Sequence, residues 1–145
     1  MALSTRIQEQ FYRVYVLLSD GECNEGSVWE AAMFASGRQL DNLAVIVDFN
    51  KWQATGRTCE ITGLDPLPQK WESFGWNTVE IDGHNIQNLL DILVNVPDGS
   101  GKPLAVIAHT VKGKGVSFME DDNNWHYRIP TEDEVEQART ELGVA

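Results

Sequence analysis

The chain has 145 residues, enough for one domain, and 22 acidic against 11 basic side chains leave a net charge of −11. That balance argues against a nucleic-acid or anionic-membrane surface, which needs Lys and Arg to neutralise phosphates. Apolar residues at 42% and charged residues at 23% are globular composition, and no apolar run approaches the ~20 residues of a membrane span.

Val14–Leu18 is a continuous apolar run and predicts a buried strand that stops at Ser19-Asp20-Gly21. From about Ser27 to Gln39 the period turns helical, with Val28, Ala31, Ala32 and Ala35 on one face. Leu43–Val47 predicts a second strand, ending at Asp48-Phe49-Asn50, and Lys51–Gly63 reads as a loop rich in Thr and Gly. Pro66–Phe74 predicts a short helix stopped by Gly75, and Trp76–Ile81 a third strand. Ile86, Leu89, Leu90 and Leu93 define a third amphipathic helix, closed by Pro97-Asp98-Gly99. Pro103–Ala108 predicts a fourth strand, and Thr131–Leu142 a terminal helix capped by Thr131 and rich in acid at its positive end.

Strands alternating with helices predict a doubly wound α/β fold, a mostly parallel sheet covered by helices on both faces. Ligands in such sheets bind beyond the carboxyl ends of the strands, which directs attention to 19–26 and 48–53. Asp20 places a hard carboxylate oxygen at the first tip, and Asn50 an amide oxygen at the second, 30 residues on. With a loop carbonyl they supply about half of an octahedral Mg2+ shell, which phosphate oxygens and water would complete. Either tip alone reads first as a turn former; the pair on adjacent tips does not. Lys112-Gly113-Lys114-Gly115 lacks the spacing of a phosphate-binding P-loop and reads as a flexible loop leading to His126. His84 reads as a turn residue, His109 as a strand-end side chain, and the five tryptophans as packing and interface groups.

The stretch Val16–Gly26, followed by Asp48-Phe49-Asn50, resembles the thiamine diphosphate motif, a GDG triplet paired with a distal Asn. Asn24–Ala32, Leu40–Leu43 and Thr110–Glu120 resemble the N-terminal, thiamine diphosphate-binding part of transketolase, most closely the form divided into two chains. The resemblance runs from about Tyr12 to Pro130. It implies a single diphosphate-side domain over 1–145, lacking the family's first segment and ending in the 131–142 helix. It further implies Asp20 and Asn50 as side-chain metal ligands and Trp52 as a carbonyl ligand. Gly21 would bind the diphosphate through its N–H, and Asn50 would also contact it. Glu25 would sit near a subunit interface by the cofactor, and His126 would be the late active-site histidine, close to diphosphate and substrate.

The implied activity is transfer of a two-carbon ketol unit between sugar phosphates, with thiamine diphosphate and Mg2+ as cofactors. A partner chain would carry the pyrimidine-binding domain, in a homo- or hetero-oligomer. The alternative is a non-catalytic fragment or scaffold that keeps the fold and weak Mg2+ binding. Other thiamine enzymes, such as deoxyxylulose-phosphate synthase or a 2-oxo acid dehydrogenase component, fit Val111–Phe118 less well. Ser19 departs from the motif, standing where its first glycine would be. With no apolar signal core in Met1–Gln10, and with Cys23 and Cys59 forming neither a disulfide framework nor a CxxC pair, a cytoplasmic setting is expected.

Overall fold

The computed structural model describes residues 1–144. Helix α1 (Ala2–Ile7) leads into β1 (Val14–Ser19), and a 3-10 turn (Glu22–Asn24) into α2 (Gly26–Gly37). Strand β2 (Leu43–Phe49) is followed by a small hairpin, β3 (Trp52–Gln53) and β4 (Gly56–Arg57), and by the single turn α3 (Thr58–Ile61). Then come α4 (Leu67–Ser73), β5 (Asn77–Asp82), α5 (Ile86–Leu93), β6 (Leu104–His109), a second 3-10 turn (Asn123–His126) and α6 (Glu132–Leu142).

The four long strands form one parallel sheet in the order β1-β2-β6-β5. Alternate residues of each strand face opposite ways. Val45, Val47, Phe49, Ala105 and Ile107 meet α2 and α4 in the larger core. Val106, Ala108 and Ile81 meet α5 in the smaller one. The larger core turns on tryptophans. Trp71, 1% exposed, lies 5.1 Å from Trp29 and 4.8 Å from Trp76 between ring centroids, and the Trp76 indole donates to Ala32 O at 3.0 Å. Three of the five tryptophans are therefore sheet–helix packing.

Helix α4 stops at the predicted residue. Gly75 adopts φ +88°, and a Cβ there would come within 2.3 Å of Ser36 Oγ, so both backbone and space call for glycine. The expected cap of the last helix is also present. Thr131 accepts from Glu134 N–H while Glu134 accepts from Thr131 N–H, a reciprocal capping box.

Two expectations need correction. The 51–63 segment is not plain loop, because the hairpin and α3 fold it back across the tips of β1 and β2; Thr58 N–H reaches Lys51 O at 3.0 Å. And β1 is not covered on both faces. It is an edge strand, Val16 and Leu18 face the larger core, and Tyr15 and Leu17 stand exposed at 45% and 71%. Periodicity reports that a strand is apolar on both sides, but not how far the neighbouring helices reach. No helix among the described residues is long and apolar enough to cross a membrane.

Candidate functional site

The register aligns Ser19 of β1 with Asp48 of β2, and Asp20 N–H donates to Asp48 O at 3.3 Å, so the two tips lie side by side. Asp20 is fully buried. One carboxylate oxygen accepts from Gly21 N–H at 2.9 Å and the other from Thr58 Oγ1 at 2.5 Å. Burial pushes its carboxyl above the usual range and the nearby Asp48 adds to this, while the Thr58 and Gly21 bonds pull the other way. The carboxylate is kept dry, with free lone pairs and no basic side chain paired to it among the described residues, which is the chemistry a metal ligand needs. Asp20 therefore belongs to the buried network at the tip.

Asn50 is half-buried, and its Oδ1 accepts from Trp52 N–H at 2.9 Å. That bond closes a tight turn around Lys51, which adopts φ +68°, a left-handed conformation disfavoured for lysine. The turn sets Trp52 directly after the two tips. Gly21 has an ordinary helical φ of −63°, and a Cβ there would meet only Gln53 and Ser19 side-chain atoms at 3.7 Å or more. The protein itself does not require glycine at this position; a ligand drawn up to its N–H would. Beside it, Gln53 Nε2 is a buried donor without a partner among the described residues, since Asn24 Nδ2 occupies the amide oxygen at 2.8 Å. A buried acid, an amide oxygen, a backbone N–H held only by the neighbouring Asp20 carboxylate and an orphan donor fit a Mg2+-diphosphate unit.

A cavity of about 540 Å³ opens at the same end of the sheet, lined by Asp48, Asn50, His84, Thr110 and Lys112 among others. Sequence reasoning missed Lys112. Its ammonium has no ion-pair partner among the described residues, whereas Lys114 pairs with Glu120 at 3.3 Å. His84, read as a turn residue, also accepts from Val111 N–H at 2.8 Å and so holds the start of the 111–128 loop. The loop is not slack: Gly113 adopts φ +72°, and a Cβ there would come within 2.5 Å of Met119 O. A larger cleft of about 1150 Å³ lies at the other end of β1, near Tyr12, Arg13 and Tyr15, and holds none of these groups. Volume does not mark the site; the strand ends do.

The remaining sequence candidates sit apart. Glu25 is exposed at the head of α2 and makes no side-chain hydrogen bond among the described residues. His126 is exposed on its 3-10 turn, its ring 4.6 Å from that of Tyr127, with no hydrogen bond to Asp20, Asn50 or Trp52. Asp20, Gly21, Asn50 and Trp52 are brought together; Glu25 and His126 are not joined to them by any side-chain contact. The thiol of Cys23 is buried and pushed up to about 12, first by burial and then by Asp20 and Glu22, so it is inert.

The family profile described as "Transketolase, thiamine diphosphate binding domain" matches residues 5–145. Over 142 residues the chain is 44% identical to an apulose-4-phosphate transketolase subunit from Actinobacillus succinogenes. Over the same length it is 38% identical to the protein of that description from Phocaeicola vulgatus. These alignments take in 98% of this chain and 51% and 50% of those proteins, so the chain spans about half the length of the curated relatives it matches. Among solved structures, transketolase from Campylobacter jejuni superposes with a TM-score of 0.85 at 26% identity, covering 93% of this chain and 21% of that one.

Proposed function

The chain belongs to the transketolase thiamine diphosphate-binding domain family, and from that premise we propose that it holds the diphosphate end of thiamine diphosphate through Mg2+, as part of a divided transketolase. The single observation carrying this reading is Asp20: a fully buried carboxylate at a strand tip, paired to no basic side chain, beside Asn50. Asp20 and Asn50 ligate the metal with their side-chain oxygens and Trp52 with its carbonyl. Gly21 N–H and the orphan Gln53 amide donate to diphosphate oxygens, and Lys112 balances their charge from the cavity wall. His126 and Glu25 act on the side facing substrate and partner.

When bound, thiamine diphosphate supplies the carbanion-stabilising centre that carries a two-carbon ketol unit between sugar phosphates. The protein's part is to hold and orient it. Activation of the pyrimidine ring comes from a partner's pyrimidine-binding domain, so the chain works in an oligomer. The edge strand β1, with Tyr15 and Leu17 uncovered, suits such an assembly, and two free cysteines suit a reducing, cytoplasmic setting.

Calorimetric titration with Mg2+ and thiamine diphosphate tests the reading. The wild-type chain should bind the cofactor only with metal present. Asp20→Asn keeps an acceptor for Gly21 N–H and turns the Thr58 contact into one that the amide donates, but removes the anionic ligand, and should weaken binding by about a hundredfold or more. Equal metal-dependent binding by the variant would overturn the metal assignment. Ketol transfer should appear only when the partner chain is added.

A further inference from the structure

The β3–β4 hairpin has two residues in each strand, too few to be stable alone, and the 111–128 segment has no strand and only one 3-10 turn. The hairpin lacks internal support, the 111–128 segment is held within itself by turns and by the Trp125 indole bond to Phe118 O, and the two share a dense polar seam. The Arg57 guanidinium donates to both oxygens of Asp121, at 2.7 and 2.5 Å, and lies 3.7 Å from the Trp52 ring centroid. The Trp52 indole N–H donates to Asp121 Oδ1 at 2.8 Å. Asp121 has φ +57°, and its N–H returns to Lys112 O at 2.9 Å. Beside it, Asn123 Nδ2 donates to Gln53 O at 2.9 Å, while Gln53 is bound by Asn24 from the β1 tip. A continuous path thus runs from the turn after Asp20, through the hairpin, to the turn carrying His126.

We propose that Arg57 is a positioning residue: by clamping Asp121 it fixes the turn that presents His126 against the hairpin that carries Trp52. This rests on the cofactor reading above and assigns the clamp to the same site. An exposed ion pair ordinarily contributes little. This one differs because the carboxylate takes a two-pronged guanidinium and an indole N–H at once, and the guanidinium is stacked on the same indole. Arg57 first, then Trp52, holds the Asp121 carboxyl below its usual range. Lysine could supply the charge but not the fork or the stacking surface.

The test uses the whole chain with Arg57→Met, Arg57→Lys, Asp121→Asn and the Arg57→Met/Asp121→Asn double variant. Amide exchange over 119–126 is measured without cofactor, and Mg2+-thiamine diphosphate affinity by titration. Arg57→Met and Asp121→Asn should each speed exchange across 119–126 by about tenfold, while amides of the central strands stay as slow as in the wild type. Both should shift Trp52 emission and weaken the cofactor by a similar factor. Arg57→Lys should recover only part of the loss, and the double variant should be no worse than either single one. Unchanged exchange over 119–126 in the single variants, full recovery with lysine, or additive losses would overturn the proposal. A wild-type chain that binds no cofactor would overturn the cofactor reading instead, and the exchange rates would still decide whether the clamp exists.

Discussion

The two halves of the candidate site are built on different foundations. The half at the tips of β1 and β2 rests on sheet register, a fully buried acid and the aromatic wall of Trp29, Trp71 and Trp76. The half in the 111–128 loop meets the rest through polar contacts, exposed at Arg57–Asp121 and Val111–His84 and part-buried at Asn123–Gln53. Buried register is hard to disturb and fixes the side chains at the strand tips. Surface hydrogen bonds exchange readily with water, so the segment they hold opens at lower cost. The difference separates a rigid, buried half from one held by surface contacts, and on the proposed function these are the diphosphate anchor and the wall beside it.

The most severe way to break the anchor is from below. Trp71→Ala removes the centre of the aromatic wall and should cost about 3–5 kcal/mol, read by denaturant melts, with metal binding lost along with the fold. Asp20→Ala strands the Thr58 hydroxyl and the Gly21 N–H without an acceptor; beyond abolishing Mg2+-dependent binding, it should destabilise the apo chain by about 1–3 kcal/mol. A melt identical to wild type would show that Asp20 is a loop residue after all. Thr58→Val deletes only the hydroxyl and should cost about 1 kcal/mol, isolating the support of the acid from the acid itself.

Leu17→Arg tests whether the anchor depends on one face of β1 alone. The side chain is 71% exposed, so stability should change by less than about 0.5 kcal/mol and metal binding not at all. Concentration-dependent sedimentation should lose any self-association of that face; if the anchor failed as well, the open face would be part of the core. The smallest effect lies in α6, beyond the loop half. Thr131 N–H is the main cause holding the Glu134 carboxyl below its ordinary 4.5. A carboxyl lowered in the folded state stabilises above its unfolded value and ceases to do so as pH falls through its folded one. Protection of the amides across 132–142, corrected for the intrinsic rate, should therefore fall on acidification below about pH 4.5, and Glu134→Gln should remove the share at the head of the helix.

Much of this was legible from residues alone. Continuous apolar runs located β1, β2 and β6, and β5 followed from the Gly75 stop before it, each to within two residues. Gly75 and the Thr131 box marked helix ends through chemistry that acts within one turn. Asp20 and Asn50 stood out because residues at successive strand ends of a βαβ unit must end up adjacent. Five small elements were not legible: α1, the first 3-10 turn, the hairpin, α3 and the second 3-10 turn. Each is short and takes its stability from distant partners, as the hairpin does from Asp121 and Asn123.

The sequence by itself determined the period of each segment, hence the parallel α/β order, and the residue types waiting at the strand tips. Only tertiary structure decided that Asp20 is buried rather than at a free loop tip, because Thr58, 38 residues further on, folds back over it. It also decided which face of β1 stays open and that Lys112 joins Asn50 at one cavity. The physical reason is range. Periodicity, capping and turn chemistry act between neighbours in the chain. Burial and charge environment are sums over groups brought together from far apart, and no local pattern contains those sums.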